Sequence, residues 1–158
     1  MMDIKWTNLE RVLIQFADRF IEIARDNLRN NNTNASWELD QSLEKIVEIG
    51  EDSFSVKISM ADYWYYVENG RGPGKFPPPP AIRSWIGEEY SPVLDQLTFL
   101  ISRKISREGT SAQPFFEPAK EQAIREFSQA IDDAIAADID AYIEEAVLRM
   151  LEKTLGKK

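Results

Sequence analysis

The chain has 158 residues, 43% of them hydrophobic, and a net charge of −8, which favours one folded domain and disfavours a protein that binds nucleic acid by a basic surface. It contains no histidine and no cysteine, which excludes imidazole-based catalysis, disulfide bonds and thiolate metal sites. No apolar run approaches the roughly 18 residues of a membrane helix, and the first residues lack a signal-peptide pattern. We expect a protein that is made and kept in a cytoplasm.

The first predicted element is an amphipathic helix that begins near Thr7 and ends in the run Asn30-Asn31-Asn32. Thr7 and Glu10 fit a capping box. Apolar residues then recur at three- and four-residue steps, which indicates one buried stripe: Leu9, Val12, Leu13, Phe16, Phe20, Ile23 and Ala24. The stripe favours packing on the protein's own core, and packing between subunits is the alternative.

A short hairpin is predicted next. Phe54, Val56 and Ile58 alternate with polar residues, which is typical of a strand. Residues 43–49 form a second apolar segment, either strand or helix, and the run Gly50-Glu51-Asp52 indicates a turn. Because an isolated hairpin is only marginally stable, we expect a helix to pack against it.

Residues 63–67 form a dense aromatic cluster, which is most often a core or an interface. A platform for stacking nucleic-acid bases is the alternative, but Asp62 and Glu68 flank the cluster with negative charge. Glu68 is the best candidate for a perturbed carboxylate. The other interpretation is a hydrogen-bonded acid that holds the turn between Gly70 and Gly74.

The glycine- and proline-rich segment after the cluster is predicted to be a stiff corner. Its glycines are one residue too close for a phosphate-binding loop, and Lys75 is followed by Phe76 where that loop needs a hydroxyl. We expect Gly70 and Gly74 to need unusual backbone angles and the prolines to brace the next helix. Arg71 and Lys75 are placed at the tip, where they either meet an acidic partner or are solvated.

Two helices are predicted inside residues 71–108. The first is indicated by the helical spacing of Ile82, Trp85 and Ile86, with Pro79 and Pro80 in or before its first turn and Gly87 ending or weakening it. The second runs from Ser91-Pro92 to about Arg107, before Gly109. This segment has six basic and four acidic residues, whereas residues 109–158 have six basic and ten acidic residues. The middle segment is therefore mildly basic.

A long helix opened by Pro118 is predicted over about 117–155, which is long for a small domain. A helix that projects from its core commonly packs on a neighbouring subunit. Its acidic residues do not converge, because adjacent residues point about 100° apart. They are interpreted as a solvated acidic face: Asp132, Asp133, Asp138, Asp140, Glu144 and Glu145.

Two motifs carry a resemblance to a known family. The first follows the pattern Y-x-x-Y-V-E-x-G, and the second is a small residue and a polar residue followed by P-F-[FL]-x-P-A. Their matches are Tyr63, Tyr66, Val67, Glu68 and Gly70, then Ala112, Pro114, Phe115, Phe116, Pro118 and Ala119, with Leu39 and Ser42-Leu43 as a weaker upstream element. With these motifs the chain resembles the tail-completion proteins of long-tailed DNA bacteriophages, also described as neck proteins or tail components. Shorter members lack a segment corresponding to residues 71–108, and longer members have a similar insertion.

The resemblance implies a single α+β domain over residues 1–158. Its small antiparallel sheet would pack with the N-terminal helix and the long C-terminal helix, and residues 71–108 would add a helical pair. It also implies a structural virion protein without catalytic role, cofactor or metal. Several copies would form a neck ring, sixfold at the tail side, that joins the head connector to tail-tube or tail-terminator proteins. The protein would be found in the virion, and in the host cytoplasm during assembly.

DNA would pass through the lumen of such a ring without specific binding, and no membrane would be involved. An acidic lumen would repel the phosphates and let the genome slide. Two other hypotheses remain open at this point. One is a monomeric adaptor or regulatory domain that binds a host protein through the aromatic cluster, and the other is a carboxylate-based hydrolase centred on Glu68.

Overall fold

The protein's structure, a computed structural model, describes residues 3–31, 38–50, 53–87 and 92–156. Within these ranges, the fold has six helices and one two-stranded antiparallel sheet, which confirms the predicted α+β class. In chain order the elements are α1 (Thr7–Asn30), α2 (Glu38–Ser42), β1 (Glu44–Ile49), β2 (Phe54–Ser59), α3 (Trp64–Asn69), α4 (Pro79–Ile86), α5 (Leu94–Glu108) and α6 (Phe116–Leu155).

Helices α1 and α6 pack antiparallel and form the main axis of the fold. Phe20 in the second half of α1 contacts Phe116 at the start of α6, with ring centroids 5.0 Å apart. About three turns further along α6, Phe127 makes an edge contact with Phe16. Small buried side chains at Ala119 and Ala123 let the two backbones approach. The apolar stripe of α1 therefore packs on the protein's own core, as its spacing predicted.

The hairpin pairs β1 with β2 in antiparallel register, from Glu44 opposite Ser59 to Ile49 opposite Phe54. The segment 43–49, for which the sequence allowed either a strand or a helix, therefore forms a strand. Glu51 and Asp52 of the predicted turn lie outside the described residues. The sheet packs against α1, which supplies the helix that the hairpin was expected to need.

Helices α4 and α5 form a smaller core of their own around Ile82, Ile86 and Leu94. Trp85 contacts this cluster and also the main core, so it joins the two. Helix α4 (Pro79–Ile86) begins with its prolines in the first turn and ends before the positive-φ residue Gly87, in agreement with the prediction. Helix α5 begins at Leu94 after a 3₁₀ turn at 92–93, and the predicted cap Ser91 lies outside the described residues.

Two predicted helix starts need correction, and one helix was not predicted. Trp6, not Thr7, occupies the N-cap position of α1 and makes no side-chain cap, so the predicted capping box is wrong. Helix α6 begins at Phe116, two residues before Pro118, because a carboxylate from α3 caps it there. The aromatic cluster itself is helical in α3.

Candidate functional site

Glu68, at the centre of the first motif, is buried at 7% exposure on α3. Its Oε2 accepts hydrogen bonds from the backbone amides of Phe115 and Phe116 at 2.7 and 2.8 Å, and its Oε1 accepts one from Glu117 at 3.0 Å. The first amides of a helix have no partner within the helix, and a carboxylate there also meets the positive end of the helix dipole. Glu68 is thus a hydrogen-bonded acid, but it holds the start of α6 rather than the 70–74 turn.

The second motif lies directly against the first. Phe115 is completely buried, and Phe116 packs on Trp64 at 5.5 Å between ring centroids. The carbonyl of the exposed Pro114 accepts a hydrogen bond from the side-chain amide of Asn31, the residue directly after α1, at 3.1 Å. The two motifs of the resemblance therefore form one structural unit, in which an acid on α3 starts α6.

Gly70 and Gly109 bring the two loops beside this unit together. Both have positive φ, 69° and 75°, and Arg71 pairs with Thr110 through two backbone hydrogen bonds of 2.9 and 2.7 Å. A Cβ on Gly70 would lie 2.6 Å from the carbonyl oxygen of Thr110. The glycines are needed for this close approach as well as for their backbone angles.

The aromatic candidates of the first motif and the two basic candidates that follow it differ in their exposure. Tyr63 is buried, whereas Tyr66 is 41% exposed. The Arg71 guanidinium lies 5.4 Å from the centre of the Tyr66 ring and donates from Nη2 to the carbonyl of Lys75 at 2.6 Å. Arg71 is therefore held against the protein with its Nη1 buried, which does not fit the alternative of a solvated cation. Lys75 is exposed.

Asp138 also contradicts its predicted place on a solvated acidic face, because it is only 3% exposed. Its two oxygens accept hydrogen bonds from the backbone amides of Asn8 and Leu9, at 3.0 and 2.9 Å. Helix α6 thus caps α1 in the same way as α3 caps α6. Asp138 follows the buried Ala134 at a four-residue step, so helical spacing places it on the buried side of α6, away from the exposed Asp132 and Asp133.

A third buried acid, Asp40 on α2, was not singled out from the sequence. Arg25 and Arg29 of α1 both approach it at 3.0 Å. It is 4% exposed, so the two guanidinium groups compensate its burial. The pair Arg25 and Arg29, spaced four residues apart on one face of α1, is a signal that an acid lies against that face.

The end of α6 projects beyond the core. Asp138 contacts the first turn of α1, so the following 17 residues extend about 25 Å further at 1.5 Å per residue. Every residue from 147 to 156 is exposed. At 100° per residue, five exposed apolar side chains fall within about a third of the circumference, and we call them the α6 face: Ile139, Ile143, Val147, Met150 and Leu151. Asp140 and Glu144 lie beside it and are exposed.

A second exposed apolar surface lies on α5. Phe99 and Leu100 are both 57% exposed, and Phe76 stacks on Phe99 with 6.3 Å between centroids. Arg103 and Arg107, also exposed, follow Phe99 at four-residue steps on the same side of the helix. These four α5 residues and Phe76 form the α5 face. It is apolar and basic, whereas the α6 face is apolar and acidic.

Neither a metal-binding cluster nor a membrane-spanning helix is found in the described part of the chain. No group of three or more Asp or Glu side chains in residues 3–31, 38–50, 53–87 and 92–156 is placed to hold a metal ion. Within the same ranges, no helix combines the length and apolarity that crossing a membrane requires. No protein-family model, curated protein or solved structure matches the chain.

Proposed function

We propose that the chain is a structural subunit of a long-tailed bacteriophage, part of the neck ring that joins the head connector to the tail. The proposal starts from the two sequence motifs, which resemble those of tail-completion proteins, and is supported by the way they pack into one unit around Glu68. Its role is assembly, and it has no catalytic activity.

The observation that carries the proposal is the pair of complementary exposed faces. The α6 face offers Ile143 and Val147 beside Asp140, and the α5 face offers Phe99 beside Arg103. Exposed apolar patches of this kind mark interaction sites, and opposite charges set partner and register. Because the two faces differ, contact between copies is head-to-tail, the geometry that closes into a ring.

The contacts of Glu68 do not support the hydrolase hypothesis, in which this residue is the catalytic carboxylate. Both oxygens of Glu68 accept backbone amides of α6, so the carboxylate serves the fold. The adaptor hypothesis keeps one supporting feature, the exposed rings of Tyr65 and Tyr66. It predicts that the protein stays monomeric at any concentration and that substitutions at these tyrosines weaken the binding of the host protein.

Light scattering after size exclusion tests the assembly at increasing protein concentration. We expect oligomers for the wild type and monomers for the double variant Ile143→Ser, Val147→Ser. Leu148→Ser is the matched control, because Leu148 is 60% exposed on the same helix but points away from the α6 face. It should assemble like the wild type. Equal assembly of all three proteins would exclude the α6 face as the contact.

The role in joining is tested in particles. Loss of the chain from the phage that encodes it should give filled heads and complete tails that remain separate in electron micrographs. Supplying the wild-type chain should restore joined particles, and supplying the double variant should not. Joined, infectious particles without the chain would contradict the proposal.

A further inference from the structure

A cavity of about 440 Å³ lies between α3, α4 and α5, in the size range of small-molecule sites. Its walls are mainly apolar and aromatic, with Val67, Ile82, Trp85 and Ile105 among them. It lies between the segment that makes this chain longer than the short proteins it resembles, residues 71–108, and the residues of the two motifs and their neighbours. The assembly faces described above do not account for it.

Two cations line this cavity, Arg71 and Lys104. No Asp or Glu among the described residues does so, although the chain contains 27 acidic residues. In a protein with a net charge of −8, a cavity whose charged lining residues, among those described, are both positive is complementary to an anion.

Arg71 gives the strongest indication. Its Nη2 donates to the carbonyl of Lys75, and Tyr66 packs against the guanidinium, so the group is fixed in place. Its Nη1 is buried and has no hydrogen-bond partner within the described residues. A buried N–H without an acceptor is costly, and an anionic oxygen is its strongest partner.

The remaining donors at this wall select the type of anion. The backbone amides of Gly109, Thr110 and Gln113 already donate to the carbonyls of Ile105, Arg71 and Val67. Thr110, Ser111 and Gln113 also line the cavity and add neutral donors. The charged donors are one guanidinium and one ammonium group, which suit the two oxygens of a carboxylate. A phosphate has three terminal oxygens that each require donors.

We propose that this cavity binds a carboxylate attached to an apolar body. Arg71 and Lys104 hold the carboxylate, and Trp85 and Ile105 pack on the apolar part. Such a group is either a free organic acid or the C-terminal residue of a peptide chain. The inference is independent of the neck-ring proposal.

The test is a titration followed by NMR chemical shifts, with 3-phenylpropionate and its uncharged match 3-phenylpropionamide. The acid should bind at least tenfold more tightly than the amide, with shifts at the Trp85 indole. Arg71→Gln and Lys104→Gln should each lower the affinity for the acid by about tenfold. Lys75→Gln is the control, since Lys75 is exposed and does not line the cavity, and should bind like the wild type.

The peptide arm distinguishes the source of the carboxylate. Gly-Gly-Phe binding more tightly than 3-phenylpropionate would support a chain terminus, and the reverse order would support a free acid. Equal affinity for the acid and the amide, or no shift with any of these probes at millimolar concentration, would overturn the proposal. Tighter binding of phenyl phosphate would also overturn it. If Arg71→Gln unfolds, the Lys104→Gln result decides.

Discussion

Oε2 of Glu68 accepts hydrogen bonds from the consecutive backbone amides of Phe115 and Phe116, so a carboxylate on α3 sets the first residue of α6. Asp138, on α6, repeats this relationship with the amides of Asn8 and Leu9 at the start of α1. Each helix start is completed by a side chain more than 45 residues away along the chain. The two acids thus fix the relative position of α3, α6 and α1, and with it the direction in which α6 projects.

Glu68→Ala should destabilise the fold by about 3 kcal/mol. The change leaves three amides of the first turn of α6 without their charged acceptor, and bonds to charged groups are worth about 1.5–3 kcal/mol where a buried partner is lost. Glu68→Gln should cost less, because the amide oxygen still accepts. The midpoint of urea unfolding measures both. Asp62→Asn, in the exposed turn before α3, is the control and should stay within about 0.5 kcal/mol of wild type.

Asp138→Asn should lower stability by about 1–2 kcal/mol, the usual loss when a helix cap is weakened. The effect should be largest at the start of α1, where hydrogen exchange of the Asn8 and Leu9 amides should become faster. Asp132→Asn is the matched control, because Asp132 is exposed on the same helix. Equal exchange at Asn8 in the two variants would show that Asp138 does not hold this end of α1.

The sequence predicted what depends on neighbouring residues. The stripe of α1, the alternation of β2 and the end of α4 at Gly87 all follow from spacing or from one glycine, and the structure has them. It did not predict the caps of α1 and α6, because Glu68 and Asp138 come from distant segments. Periodicity reports which face of a helix is apolar, and it carries no information on which distant acid meets the helix end.

Gly109→Ala should destabilise the protein by about 2 kcal/mol or more, since φ is +75° and the new Cβ would collide with the carbonyl oxygen of Arg71. The paired backbone of Arg71 and Thr110 would have to separate. Thermal unfolding measures the loss. Gly72→Ala is the control in the same loop, because no atom lies within 4 Å of its added Cβ. A similar loss in both variants would contradict a steric cause.

The stabilising effect of the ion pair between Arg19 on α1 and Glu126 on α6 should depend on pH. Arg19 donates to the Glu126 carboxylate at 2.8 Å and Gln122 donates at the same distance, which lowers the pKa of Glu126 from 4.5 to about 2. Since the folded-state pKa is the lower one, this stabilisation is complete above pH 4.5 and is lost as the pH falls towards 2. The pair is exposed, so the effect is small and decreases with salt.

Glu126→Gln tests this dependence. Wild type should be the more stable protein at pH 7, and the difference between the two urea midpoints should shrink between pH 4.5 and 2. Asp132→Asn, which lies outside the Arg19 pair, should show no such narrowing. A difference that is independent of pH would mean that the Arg19 pair contributes nothing through the charge of Glu126.

Charge reversal should reveal whether copies of the chain meet through the α5 and α6 faces. Asp140→Arg places a cation beside the α6 face, where it would oppose Arg103 of the next copy, and Arg103→Asp creates the converse repulsion. Each single change should weaken self-association by about tenfold, the equivalent of about 1.4 kcal/mol. Since every copy carries both faces, the double variant Asp140→Arg, Arg103→Asp restores opposite charges across a head-to-tail contact. Recovery of assembly in the double variant, measured by sedimentation at 0.1 M salt, would identify the pairing, whereas additive losses would exclude it.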